Sequence, residues 1–158
     1  MNTDDAPFGA RRSDGPLSRW VGFGVAGQNY AVDIRQVQEV LVGAEIEPVP
    51  GTPPAVLGVI NLRGRIVTVI DLRRCLGFPG EGGSQVCAVV IADTAEGQLG
   101  LRVDGIAEVC AVSEGAIRPV PPTLGRGADP LVRGMVKRGD AMLTLLNADL
   151  LPQRAAAA

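Results

Sequence analysis

From position 20 onward apolar side chains recur at every second residue, at Val21, Phe23 and Val25 and then, past a Gly-Gln-Asn turn at 27–29, at Tyr30, Val32 and Ile34. A period of two is that of a strand with one buried face, so 20–34 predicts a β-hairpin. Asp33 is placed to cap a short helix, with Gln36 three residues on and Ile34, Val37, Val40 and Leu41 sharing one face up to Gly43. The stretch 46–58 is extended and broken by prolines. Residues 59–62 and 65–70 predict two strands turning at Arg63-Gly64. Asp71 heads a helical turn, Leu-Arg-Arg-Cys-Leu, stopped by Gly77. The segment 77–84 reads as a loop, 86–112 as two or three more strands, and 135–147 as a final hairpin.

These elements repeat. Val-Asp-Ile at 32–34 answers to Val-Asp-Gly-Ile at 103–106, Glu-Val at 39–40 to Glu-Val at 108–109, and Ile-Glu-Pro-Val-Pro at 46–50 to Ile-Arg-Pro-Val-Pro at 117–121. Gly58, Thr68 and Asp71 then correspond to Gly134, Thr144 and Asn147 at one constant spacing, and each half carries Arg-Gly near its turn, Arg63 in the first and Arg138 in the second. An ordered series of this kind predicts two related β-barrels, about 20–76 and 86–151, each small enough to need the other and packed through an aliphatic seam.

Composition narrows the function more than the fold. In 158 residues there are 21 Gly and 12 Pro, aromatics make up only 3%, and Val and Ile fill the runs between turns, so the fold class is mainly β with an aliphatic core. Residues 1–18 lack the apolar core of a signal peptide and read as a disordered arm, and 153–158 as a disordered tail. No apolar stretch approaches the roughly 20 residues of a membrane span, and a cytoplasmic location is expected. A net charge of −2 with scattered arginines gives no footprint for nucleic acid.

Candidate chemistry is sparse. The chain has no histidine, which removes the commonest general base, nucleophile activator and metal ligand. Asp33, Asp71 and Asp104 sit where backbone capping accounts for them. The glycines of 77–83 precede no Lys-Ser/Thr of a phosphate loop. Three cysteines, at 75, 87 and 110, have no paired spacing and read as buried reduced thiols. No enzyme, cofactor or metal is expected, and an interaction module is the economical reading. The rival is a small thiol-dependent or ligand-binding β-barrel, which an exposed, acidic cysteine would favour.

At Asn-Leu-Arg-Gly (61–64) and the following Ile-Val-Thr-Val-Ile-Asp-Leu-Arg, with Tyr-Ala-Val-Asp-Ile, Val-Gln-Glu-Val and Pro-Ala-Val-Leu-Gly-Val-Ile before and Val-Asp-Gly-Ile-Ala-Glu-Val after, the sequence resembles the CheW family of chemosensory adaptors over 20–151. The resemblance implies two packed five-stranded SH3-like β-barrels with short helices, a CheW-like domain over 19–152. It also implies an adaptor joining the cytoplasmic hairpin tips of chemoreceptors to the regulatory domain of a CheA-type histidine kinase, recruited to membrane receptor arrays. Positions matching the family's partner contacts are Val37, Glu39, Gly58, Arg63, Ala88 and Val109, with Ala88 small where a larger aliphatic residue is usual. Arg63, its stem on apolar surface and its guanidinium at a rim, is expected to face a partner or to hold Glu39.

Overall fold

The computed structural model describes residues 15–78, 88–105, 108–121 and 129–157. Ten strands form, β1 (Leu17–Val25), β2 (Gln28–Asp33), β3 (Val37–Val42), β4 (Val56–Leu62), β5 (Arg65–Asp71), β6 (Ala88–Thr94), β7 (Gly97–Val103), β8 (Glu108–Ser113), β9 (Val132–Arg138) and β10 (Ala141–Leu146), with helices α1 (Leu72–Cys75) and α2 (Leu151–Ala157). They make two five-stranded sheets, ordered β8-β1-β2-β10-β9 and β3-β6-β7-β5-β4. Each sheet curls towards closure. In the second, Glu47 in the connection after outer strand β3 bridges to outer strand β4, its amide donating to the Val59 carbonyl at 2.8 Å and the Val59 amide to the Glu47 carbonyl at 2.9 Å. In the first sheet Arg118 and Met135 make the same reciprocal bridge at 2.8 and 2.7 Å. The repeat is therefore real in three dimensions, down to the bridging residues.

Its halves are not the barrels, however. Barrel A takes β1 and β2 from the first repeat and β8 to β10 from the second, while barrel B takes β3 to β5 from the first and β6 and β7 from the second. The exchange is made by two parallel pairings, β2 with β10 and β5 with β7, inside sheets that are otherwise antiparallel. The expected division at 76–86 is corrected accordingly: a chain cut there leaves neither barrel complete. Similarity between repeats reports equivalent strands, and strand exchange leaves that similarity untouched.

The pleat assigns each strand two duties. In β1, Trp20 points into barrel A, where it packs with Ala31, Cys110, Val112, Val136, Leu143 and Leu145, while Val21, Phe23 and Val25 point to the seam. Val89, Ile91, Val67, Val69, Ile60 and Leu62 fill barrel B. The seam cluster is the largest of the three and draws on both barrels and on α1 and α2. Strands buried on both faces explain the nearly continuous apolar runs.

Two helical expectations change. Asp33 does cap, its Oδ1 accepting the Arg35 amide at 2.9 Å, but the helical segment is one 3-10 turn, Ile34–Gln36, and 37–42 is strand β3. Val37, Val40 and Val42 are β-branched, and a ladder to β6 satisfies the backbone there. At the other end, of the tail expected to be disordered over 153–158, residues 153–157 belong to α2, held by buried Leu151 and Ala155 and by Arg154, which donates to Asp129 at 2.6 Å, and residue 158 lies outside the described residues. Of the arm expected over 1–18, residues 1–14 lie outside the described residues, and Leu17 already begins β1. Among the described residues no helix is long and apolar enough to cross a membrane.

Candidate functional site

Side chains opposite one another in a ladder share a face, so register shows where the outer strands point. Val40 lies opposite Val90, and Val42 opposite Ala88, both seam residues. Val109 lies opposite Val21, another seam residue. The outermost strand of each sheet thus carries the apolar surface of the seam beyond the point where the partner barrel covers it. Val40, Val42 and Val109 remain 38%, 74% and 60% exposed. By the Glu-Val repeat, Val40 and Val109 are equivalent positions, so the same feature occurs once in each barrel.

Val37 begins β3 and packs, half-buried, on the seam core. Ala88 is buried beneath this edge. Its small side chain supports the seam from below and presents no surface of its own. Val40 and Val42 were missed as surface residues in the sequence because 34–41 fits a helical face as well as a strand, and only the ladder separates the two.

The next residue along, Glu39, lies opposite Ile91 and turns to the barrel B side of the same strand. There it meets Arg63. The β4–β5 turn is Arg63-Gly64 with φ of 51° and 84°, and the Asn61 Oδ1 accepts the Gly64 amide at 2.9 Å to hold it. A left-handed conformation is uncommon for arginine and aims its side chain across the gap between β3 and β4. Arg63 Nη1 and Nη2 donate to Glu39 Oε2 and Oε1 at 2.6 and 2.9 Å, a two-pronged pair. These hydrogen bonds hold the Glu39 carboxyl below its ordinary range, with the guanidinium charge adding to the effect. Ile66, two residues past the turn, is 69% exposed and gives this end of barrel B an apolar flank.

Gly58 stands where the β4–β5 register shifts, at φ 150°, and a Cβ there would overlap the Glu47 carbonyl that closes the barrel. It is a backbone device. Arg138 is not the counterpart of Arg63. Leu62 and Arg138 are the last strand residues before their turns, paired with Arg65 and Ala141, so Gly139 occupies the place of Arg63. One residue of displacement reverses the side a strand residue faces.

A second polar arrangement fixes the barrels to each other. Asp104, in the crossover from barrel B to barrel A, accepts from the Ala26 amide at 2.8 Å and from Arg73 Nη1 at 3.1 Å, and its own amide donates to the Gly24 carbonyl at 2.9 Å. Asp149, just before α2, accepts from the Ala95 amide at 2.9 Å in the β6–β7 turn. Cys75 and Cys110 are buried, and burial with the nearby Asp71 charge pushes the Cys75 thiol up to about 11. Such a thiol is inert at neutral pH. Cys87 lies outside the described residues.

Comparison with known proteins gives one consistent answer. A family model described as a CheW-like domain matches residues 19–156. The chemotaxis protein CheW of Klebsiella aerogenes is 30% identical over 129 residues, covering 82% of this chain and 78% of its own length. That of Bacillus subtilis is 30% identical over 131 residues, covering 83% and 84%. The crystal structure of the scaffolding protein TtCheW from Thermoanaerobacter tengcongensis superposes with a TM-score of 0.77 at 33% identity, over 86% of this chain and 92% of that one.

Proposed function

The chain belongs to the CheW-like family, and from that premise we propose that this chemotaxis adaptor bridges two partners without turnover, the cytoplasmic hairpin tip of a chemoreceptor and the regulatory domain of a CheA-type kinase. The observation that carries the reading is the pair of exposed valine edges, Val40 with Val42 on barrel B and Val109 on barrel A, which continue the seam outward. A helical tip with an apolar stripe would lie along the seam there and bury area in the weak-to-standard range of about 1,000–2,000 Å². The Arg63 turn, with Glu39 orienting its guanidinium and Ile66 beside it, would engage the kinase domain. Within this reading Val37 and Ala88 support the receptor edge from beneath, and Gly58 keeps the barrel closed behind the turn.

The test is a titration of the full chain against a receptor hairpin fragment and the kinase regulatory domain from the same cell. Val40→Glu with Val109→Glu should weaken the receptor fragment by roughly tenfold or more and leave the kinase domain nearly unaffected. Arg63→Glu should do the reverse, because it repels Glu39 and removes the oriented donors. Complete mutual displacement of the two partners from this chain would end the bridging proposal.

A further inference from the structure

The two barrels are built from equivalent strands, yet only one is plugged at the end nearest the β4–β5 or β9–β10 turn. In barrel B that end holds Leu41, Leu62 and Ile91, with the Glu39–Arg63 pair laid across the gap between the outer strands. The equivalent positions in barrel A follow from the ladders: Glu39 faces Ile91 as Glu108 faces Gly22, and Leu62 precedes its turn as Arg138 does. Ile91 thus becomes Gly22, Leu41 becomes Cys110, Leu62 becomes Arg138 and Arg63 becomes Gly139. Each change removes bulk or replaces it with a charged group. The result is an open cavity of about 240 Å³ whose lining includes Gly22, Cys110 and Leu143 together with the polar Asn29, Glu108 and Arg138.

Three properties say what fits. The volume falls below the roughly 300–1,000 Å³ of sites for whole small molecules but suits one large aliphatic side chain, and barrel B fills the same place with leucine and isoleucine. Among the described residues no ion pair joins Glu108 to Arg138 or engages either with another residue, whereas Glu39, the barrel B equivalent of Glu108, is paired with Arg63. Leu143, opposite Val136 in the β9–β10 ladder, gives the cavity an apolar wall at its inner end, while Met142, opposite Lys137, turns to the other face of β10.

We propose that this end of barrel A is a docking socket for a protein partner that inserts one leucine-sized side chain between a basic residue facing Glu108 and an acidic residue facing Arg138. The partner's leucine supplies the plug that barrel B supplies from its own chain. Buried apolar anchors of this kind dominate protein interfaces, with flanking charges setting orientation. The socket uses the face of β8 opposite to Val109 and lies on the other barrel from the Arg63 turn, and it does not depend on the assignment of receptor or kinase to either.

The test uses the full ¹⁵N-labelled chain and the pentapeptide acetyl-Gly-Lys-Leu-Glu-Gly-amide. Saturable shifts are expected at the amides of Gly22, Glu108, Met142 and Leu143, with a dissociation constant of about millimolar, since one anchor must offset the ordering of a short flexible peptide. The same peptide with serine for leucine should produce none. Cys110→Leu with Arg138→Leu, which restores the residues of barrel B, should abolish the shifts while leaving a cooperative melt. Arg138→Glu should weaken this peptide several-fold and favour one with lysine in place of glutamate, which keeps the proposal testable if the double variant does not fold. No shifts, equal shifts with the serine peptide, or shifts that survive these substitutions would overturn it.

Discussion

Gly58→Ala should unfold this protein far more readily than any alanine placed at the glycines of its turns. At φ 150° an alanine backbone is strained by about 1–3 kcal/mol. The new Cβ would also overlap the Glu47 carbonyl oxygen and lie 2.6 Å from its carbon and 3.0 Å from Pro48 Cα, all backbone atoms that no side-chain rotation can clear. Relief requires parting the Glu47–Val59 bridge, two hydrogen bonds of about 1 kcal/mol each, on the seam where barrel B closes. The sum is about 3–5 kcal/mol, and at 2–4 °C per kcal/mol for a chain of this size the melting temperature should fall by roughly 10 °C. Gly134, its equivalent in barrel A, has no left-handed φ, and a Cβ there meets first the side chain of Ile117 at 2.5 Å, then the Arg118 carbonyl at 3.0 Å. Ile117 can turn aside, so Gly134→Ala should cost about 1–2 kcal/mol. Gly64→Ala, at φ 84° with open space around it, should cost about 1 kcal/mol. Thermal melts of the three variants, with amide exchange read at Glu47 and Val59, decide the matter. A Gly58→Ala protein that melts within about 2 °C of the parent but loses partner affinity would refute the reasoning and make Gly58 a contact residue.

Other expectations follow from the same structure. Asp33 is held below its ordinary carboxyl range chiefly by hydrogen bonds from Arg35, so its contribution is present above the unfolded-state pKa and disappears as pH falls through the folded one; Arg35→Ala should raise the Asp33 pKa and move the onset of acid unfolding to higher pH, read by NMR titration and acid melts. Cys75, buried and with its thiol pushed up to about 11, should resist alkylation of the native chain at pH 8 and react on unfolding, and rapid labelling of native Cys75 by peptide mass spectrometry would revive the thiol-dependent alternative. Fragments 1–78 and 79–158 should each lack a cooperative melt and regain one on mixing; a cooperative transition in either alone would contradict the strand exchange.

The sequence carried most of the strands, the repeat, the capping aspartates and the Arg63–Gly64 turn because each is a local signal: alternation, a side chain placed to meet its own backbone, a glycine suited to positive φ between two apolar runs. Strand exchange left no such mark. β2 pairs with β10 and β5 with β7 across more than a hundred and about thirty residues respectively, and nothing in either strand names its distant neighbour. Residues 37–42 were ambiguous for a related reason: Val37, Val40 and Leu41 satisfy a helical face, and the decision for strand came from β6. In the candidate site, Arg63 and Glu39 were legible as types and positions, and their pairing is a tertiary fact. The one-residue displacement between Arg63 and Arg138 was hidden because Arg-Gly appears in both halves, while only the ladder shows which of the two residues occupies the turn.

Exchange also bears on how an adaptor of this fold can present two surfaces at a fixed angle. Were each barrel made from one contiguous half, a single linker and the seam would join them, and the seam could slide or open. Here the chain passes between barrels after β2 and again after β7, and the second of these crossings is clasped where Asp104 takes the Ala26 amide and Arg73. Movement of one barrel against the other would break strand connections and that clasp together. A seam locked in this way has no need to expose apolar residues for its own stability, and Val21, Val32, Val90 and Leu101 are accordingly buried to 5% or less. Among the described residues Val40, Val42 and Val109 on the outer strands of the same seam stay exposed, and under the proposed function burying them against a partner is the gain that this exposure leaves open.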